Sequence, residues 1–400
     1  MIDEPESGRS PESEMMHLGW DPSDGLLSLK PPIFETSTFV FESAAAAERL
    51  FQIAYGGARL EPGEEPGFIY TRIDHPNLAI VEKRIAVWDR ADAALLFSSG
   101  TSAIFTALLT MVSPGELILH SAPLYGGTNT LLSRVLTPLG FETAAFRPAA
   151  TAEDLIAVVG NRRLGAIYIE TPANPTNDVF DISVAREVAD HFANSDVLPP
   201  VIVDNTFLGP YTQRPLSLGA DLVVYSATKF LGGHSDLVAG AVAGSNEVIA
   251  RLKTMRYRIG TTCDPHTAWL LGRSLETYAI RAERQSSNAA RVADFLQGHP
   301  GVAGVRLVQP GGAMISFEVA GGKDEAFAVL DAMTMIGLTT SLGGTESIAC
   351  HPWSTTHFSV DAKDKLDMGI SDAMIRLSIG LEAPEDIIAD LDQALSSIIT

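Results

Sequence analysis

Several short stretches carry side chains whose types and spacing can do chemistry. In DLVVYSATKFLGGHSD an apolar run, Asp221 to Tyr225, reads as a strand and delivers Ser226, Thr228 and a single lysine, Lys229, at its carboxyl end. A lysine in such a place commonly snorkels to water. Held partly desolvated instead, its charged form is disfavoured, its pKa falls, and the free amine becomes a nucleophile able to form a Schiff base. Ser226 and Thr228 alternate toward one side and can donate to a phosphate, while Gly232-Gly233 leaves room for something bulky. Asp204 closes VIVD and has two even readings. It either caps its own turn or pairs with a protonated ring nitrogen and keeps that ring electron-poor. Ser98-Ser99-Gly100-Thr101 joins AALLF to a helical pattern. A glycine and hydroxyls at a helix N-terminus make an anion site, although Ser and Thr also begin helices merely as caps.

Further candidates are aromatic or cationic. Tyr125, in APLYGGT, packs as an ordinary aromatic or stacks on a flat cofactor. Tyr70 and Arg72, in FIYTRIDHPN, decorate a surface or clamp a phosphate. Arg376 lies inside the apolar MIRLSIG and needs an anionic partner if buried, a part that a substrate carboxylate would fill. Each reading is ambiguous singly. Together, an amine nucleophile, phosphate-binding elements, a ring-nitrogen partner, a stacking aromatic and a carboxylate anchor make a site for pyridoxal 5′-phosphate. No G-x-G-x-x-G, P-loop, G-x-S-x-G or H-E-x-x-H is present, and the nine histidines are scattered, which points to no metal site. His234, Ser235 and Asp236, adjacent in sequence, are poorly placed to converge as a hydrolase triad.

The elements that must position these residues alternate. AALLF, ELILH, LGAIYIE, PVIVD and DLVVY read as strands of a sheet buried on both faces. Helical patterns lie between them, with Asp181 a plausible N-cap before ISVAREV. That predicts an α/β fold with a mostly parallel, doubly wound sheet, whose ligands collect beyond the carboxyl ends of the strands. After a long helical region, PHTAWLL to FLQ, read as one helix or two, a smaller α+β unit follows with strands MISFEV and AMIRLSIG. The 400 residues are too many for one core. The expected division is a tail and arm over 1–60, a large domain over 61–260 and a small domain over 261–400. A net charge of −21 argues against a nucleic-acid or anionic-membrane partner. Cys263 and Cys350 form no framework, as suits a reducing cytoplasm. The acidic N-terminus, MIDEPESGRSPESEMMH, reads as a flexible tail. The uncharged stretch Ala93 to Gly115 reads as strand, turn and buried helix rather than a membrane span.

In order along the chain, FIYTRIDHPN, SSGTSAI, LYGGT, ETPANPT, VIVDNTF, DLVVYSATKFLGGHSD, SLGGTES, HPWSTTH and IRLSIGLE resemble the Cys/Met-metabolism family of pyridoxal-phosphate enzymes. The family includes cystathionine γ-synthase and γ-lyase, methionine γ-lyase and O-acetylhomoserine sulfhydrylase. The resemblance implies the fold type I architecture of the aspartate-aminotransferase kind and elimination or replacement at the γ-carbon of sulfur amino acids or O-acylhomoserine. Cystathionine β-lyase chemistry and a non-catalytic cofactor-binding regulator are the rival readings. It also implies roles: Lys229 would carry the internal aldimine, Asp204 would meet the pyridine nitrogen, and Tyr125 would stack on the ring and act near the leaving group. Gly100, Thr101, Ser226 and Thr228 would hold the phosphate. Tyr70 and Arg72 would reach the neighbouring subunit's phosphate, in a dimer or a dimer of dimers, with Tyr70 also a substrate-binding residue. Asn174, Ser341 and Arg376 would position the cofactor oxygen and the amino-acid substrate's carboxylate. This sequence departs from the family at Gly127, where methionine γ-lyases carry cysteine, at His75, where asparagine is usual, and in a short segment from Val305 to Gly311. AYGGARLEPGEEPGFIYTR looks more like the methionine γ-lyase entrance, and Glu346 is a candidate partner for a distal amino group.

Overall fold

The computed structural model describes residues 9–58, 61, 64, 67–193 and 198–399, so part of the AYGGARLEPGEEPGFIYTR segment lies outside the described residues. Seven strands form the larger sheet: β1 (Ala93–Phe97), β2 (Leu117–Ser121), β3 (Glu142–Phe146), β4 (Leu164–Glu170), β5 (Val201–Asp204), β6 (Leu222–Tyr225) and β7 (Gly240–Gly244). Their order is β1-β7-β6-β5-β4-β2-β3. The neighbours from β6 to β3 run parallel, and β7 is antiparallel to both β1 and β6. The apolar runs of β2, β4, β5 and β6 are buried along their whole length because helices cover both faces.

Five of these strands are the ones the apolar runs predict. β3 and β7 are additional, and the reason lies in their composition. ETAAF is a half-exposed edge strand with no continuous apolar run, and GAVAG is built of small residues. Smallness is required there, because a Cβ on Gly240 would lie 2.9 Å from the Gly100 backbone nitrogen. The strand and the start of the helix Gly100–Met111 meet backbone to backbone.

The smaller sheet has order β10-β11-β12-β9-β8, from β8 (Val302–Leu307), β9 (Met314–Val319), β10 (Gly337–Leu338), β11 (Ile348–Cys350) and β12 (Met374–Ser378). Ile315, Phe317, Ile375 and Leu377 from its central strands share a core with Ile387, Leu391 and Leu395 of the helix Pro384–Ser396. The long helical region is two helices, Pro265–Leu275 and Tyr278–Gly298. The stretch after Phe97 is the helix Gly100–Met111, and no helix among the described residues is long and apolar enough to cross a membrane.

The flexible-tail expectation is corrected for Pro11–His17, which form a helix. Met15 is fully buried in the core that holds Leu78 and Trp88, and the Leu18 carbonyl accepts from Arg84 Nε at 3.1 Å. One apolar side chain in an acidic segment is enough to dock a turn of helix when a pocket awaits it. Residues 1–8 lie outside the described residues.

His75 has a definite role. It is the N-cap of the helix Pro76–Asp89: its Nδ1 accepts from Asn77 N–H at 3.2 Å while Nε2 donates to the Phe34 carbonyl at 2.9 Å. One neutral ring therefore starts the helix and fastens the N-terminal arm. Burial lowers its pKa. The fold favours the neutral ring, so the contribution is complete above the ordinary value and is lost as pH falls below it. His75→Ala should cost about 1–2 kcal/mol in urea unfolding at neutral pH, with His75→Asn recovering the cap but not the arm contact. Equal stability of all three proteins would remove the role.

Candidate active site

Beyond the carboxyl ends of β4, β5 and β6 lies a cavity of about 590 Å³, closed on its other side by Thr340–Leu342 and Arg376 of the smaller sheet's domain. Lys229 and Asp204 reach it from the ends of β6 and β5, and Tyr125 from the loop after β2. Gly100, Thr101, Ser226 and Thr228 form another part of the wall, and Asn174 and Ser341 a third.

Lys229 Nζ donates to Ser341 Oγ at 3.0 Å and has no carboxylate within ion-pair distance among the described residues. Burial, and then the nearby Arg376 charge, lower its pKa to about 8. The free amine is then on the order of a tenth of the population at neutral pH, against roughly one part in several thousand for an ordinary lysine. Asp204 caps its own turn and keeps one oxygen toward the cavity. Its Oδ1 accepts from Thr206 N–H at 3.0 Å and Thr206 Oγ1 at 2.6 Å, capping the turn. Its Oδ2 accepts from Tyr168 Oη at 3.2 Å. Burial raises its pKa and those bonds oppose the rise. A protonated ring nitrogen would complete the set.

Ser99 caps the helix Gly100–Met111 through a reciprocal box: Ser102 N–H donates to Ser99 Oγ at 3.1 Å, and Ser99 N–H to Ser102 Oγ at 3.0 Å. The first-turn N–H groups of Gly100 and Thr101 remain for an anion. A Cβ at Gly100 would stand 2.8 Å from Ser226 Cβ, so only glycine lets the two phosphate-side elements come together. Thr228 lines the cavity, but its hydroxyl already donates to the Ala239 carbonyl at 3.1 Å and accepts from Ala239 N–H at 3.0 Å. Arg376 is 2% exposed. Its Nη1 donates to Asn174 Oδ1 at 2.9 Å, and its Nη2 to the carbonyls of Thr340 at 2.9 Å and Ser341 at 3.1 Å. Its Nε is buried without a partner, a donor suited to a carboxylate. The residues present therefore fit pyridoxal phosphate and an α-amino acid.

Tyr70 and Arg72 do not line this chain's cavity. Tyr70 is largely exposed, and Arg72 donates through Nη1 to the Tyr257 carbonyl, with its guanidinium carbon 5.7 Å from the Tyr70 ring centre. His234 Nδ1 contacts the Gly232 carbonyl at 2.8 Å, and Ser235 and Asp236 are off the wall. Gly127 has a geometric reason: a Cβ there would run into the Tyr125 ring.

Glu170 and Tyr168 escaped the residue-by-residue reading. Glu170 ends β4 as Asp204 ends β5, and the two are Cα partners. Its carboxylate oxygens accept from Tyr125 N–H and Asn174 N–H, both at 2.8 Å. The signal was available, since an acid closing an apolar strand had singled out Asp204.

The family described as Cys/Met metabolism PLP-dependent enzyme matches residues 12–396. The chain is 38% identical to the L-methionine gamma-lyase of Fusobacterium nucleatum subsp. nucleatum, covering 93% of this chain and 94% of that one. It is 33% identical to the cystathionine gamma-lyase of Bacillus subtilis, over 96% and 98%. Its fold superposes with a TM-score of 0.86 on cystathionine gamma synthase from Xanthomonas oryzae pv. oryzae, at 30% identity over 97% and 98% of the two chains.

The crowding at Gly100 yields a test. Gly100→Ala should weaken cofactor binding at least about 10-fold, read by absorbance titration of the cofactor-free protein, since one methyl displaces Ser226 from the anion nest. Unchanged affinity would show that the nest is not the phosphate site.

Proposed function

Because the chain belongs to the Cys/Met metabolism family of pyridoxal-phosphate-dependent enzymes, we propose that, within that family's γ-elimination and γ-replacement chemistry on sulfur amino acids, it cleaves the Cγ–S bond of L-methionine and similar short thioethers. One observation carries this reading. The acidic and basic side chains on the cavity wall are Lys229, Glu170, Asp204 and Arg376, and a cofactor with one α-carboxylate leaves none of them over for a second charged end of the substrate. The rest includes Ile104, Phe207, Val238 and Leu342 with the hydroxyls of Thr355 and Thr356. Cystathionine carries a second ammonium and carboxylate, and burying those without partners costs several kcal/mol. A methyl thioether needs no such partners. Glu346, the candidate for a distal amino group, is exposed and off the wall. The 38% identity to a methionine lyase against 33% to a cystathionine lyase points the same way.

Bound here, pyridoxal phosphate supplies an electron-poor ring that takes up negative charge developing at the substrate's α- and β-carbons. Arg376, steadied by Asn174, holds the substrate's α-carboxylate and fixes the Cα–H bond toward Lys229. Lys229 Nζ, partly unprotonated and aimed by Ser341, takes the α-proton and then serves the β-carbon. Asp204 stays ionised and keeps the ring nitrogen protonated. The Tyr125 phenol protonates the departing sulfur. We assign Tyr70 and Arg72, which are exposed and do not line their own chain's cavity, to the phosphate of a second copy, so the working unit is at least a dimer.

L-Methionine and water should give methanethiol, ammonia and 2-oxobutanoate in equal amounts, at a kcat/KM at least about 10-fold above that for L-cystathionine. Cystathionine as the better substrate would overturn the thioether reading. A thioether formed faster from O-acetylhomoserine and cysteine would reassign the enzyme to γ-replacement. Lys229→Ala should lower turnover by about 10³-fold or more and abolish the borohydride-reducible linkage to the cofactor.

A further inference from the structure

Glu170 is the buried acid in the cavity to which the mechanism gives no work. It is 5% exposed and Asp204 is 7% exposed. They are Cα partners on adjacent parallel strands, both face the same cavity, and neither has a cation within ion-pair distance among the described residues. At the ends of adjacent strands and on the wall of one buried cavity, the two carboxyls share a site, and like charges there oppose each other's ionisation. The surroundings decide which one is charged. Asp204 accepts two hydroxyls and one amide, and a ring N–H⁺ would join them. Glu170 accepts two backbone amides.

We infer that Glu170 works as a neutral acid: it keeps its proton across the working pH range, so that Asp204 alone carries negative charge behind the ring and Arg376 keeps its positive charge for the substrate's carboxylate. The inference deepens the proposed function and rests on that reading for the substrate's place. Burial and then Asp204 both push the Glu170 carboxyl to hold its proton, while its two amides and Arg376 oppose this. Arg376 is thus near enough to feel a charge at Glu170. Were Glu170 ionised, it would compete with the substrate for that guanidinium. As a neutral acid it still positions the site, since its oxygens tie the amide of Tyr125 to that of Asn174.

Other titratable groups facing Glu170 do not supply a competing charge switch. On its own strand Tyr168 keeps its phenolic proton, held well above the usual range by burial. From β2, His120 is pushed toward the neutral form by burial, its Nδ1 against the Ser121 carbonyl. From the small domain, His357 is pushed down to about 4 by burial and contacts the Leu124 carbonyl. Lys229 also lines the cavity, and burial and then Arg376 lower it to about 8, so the kinetics are read as a difference between the parent protein and Glu170→Gln, which share that lysine.

The test separates this from the catalytic reading. In holoenzyme labelled with δ-¹³C glutamate, one carboxyl resonance should stay at its protonated position at about pH 7. It should vanish in Glu170→Gln, and its midpoint should fall by about one unit or more in Asp204→Asn, where the charge opposing its ionisation is gone. The first of these needs only the unsubstituted protein and no turnover, so it stands or falls apart from the substrate assignment. In the kinetics, KM for L-methionine should rise at least about threefold as Glu170 ionises above neutral pH, with that rise absent in Glu170→Gln. All glutamates ionised at about pH 7, or the same KM rise in both proteins, would overturn the inference.

Discussion

Charge buried without an opposite charge is the constraint on which this structure depends. An ammonium, two carboxyls and a guanidinium surround one cavity, yet no ion pair joins any of them among the described residues. Each is held by dipoles instead: Lys229 by the Ser341 hydroxyl, Asp204 by Thr206 and Tyr168, Glu170 by two amides, Arg376 by an amide oxygen and two carbonyls. Such an arrangement is expensive in an empty protein and becomes favourable when a ligand brings the missing charges. A phosphate, a ring N–H⁺ and an α-carboxylate are the charges it lacks.

The contrast with a purely structural charge is close at hand. Arg256 is fully buried, but its Nη1 meets Glu82 Oε1 at 2.6 Å and the Leu96 carbonyl at 2.8 Å. The same Glu82 oxygen accepts from Leu96 N–H at 2.9 Å. That pair is neutralised and hydrogen-bonded within β1 and its flanking helices and lies off the cavity wall, so it fixes the fold, although Arg256 Nε is left without a partner. Asp89 shows an intermediate case. Tyr225 donates to it at 2.5 Å, its other oxygen is unpaired, and burial raises its pKa to about 7. Tyr225, the last residue of β6, thereby ties that strand to the helix Pro76–Asp89 through its hydroxyl and the Asp89 carboxyl.

Much of this was legible in the chain, for a physical reason. A strand buried on both faces must be a continuous apolar run, so a polar residue at its end stands out, and Asp204 and Lys229 were found that way. β3 and β7 escaped because an edge strand need not be apolar and a strand packed against backbone must be small, and neither pattern looks like a strand. Glu170 escaped because ETPANPT was weighed as a block of resemblance, not as an acid at a strand end. Met15 was hidden by the acidic residues around it. The Thr228 hydroxyl is spent on Ala239, which no spacing rule could reveal, since its partner lies across a loop. Tyr70 and Arg72 are exposed and lie apart from the wall that the other candidates share.

In the proposed function the substrate anchor, Arg376, and the amine base, Lys229, come from different parts of the chain, so that reading depends on how firmly the two sheets are clasped. The loop after β4 does this work. Asn174 is bonded to Arg376 of β12. Asn177 Nδ2 donates to the carbonyls of Arg306 at 3.0 Å and Met314 at 2.9 Å, on β8 and β9. Ser316 donates to the Pro175 carbonyl. A second clasp sits at Gly126, where a Cβ would overlap the Thr356 carbonyl oxygen, so the loop after β2 meets the segment around Thr356 at close range beside Tyr125. A displacement of about 1 Å between base and bound carboxylate is enough to cost two orders of magnitude in rate. The segment from Asn174 to Asn177 therefore does more than line the cavity: through Asn174 and Asn177 it fixes Arg376 and the smaller sheet against the end of β4, and in the proposed reaction that sets the distance between base and bound carboxylate.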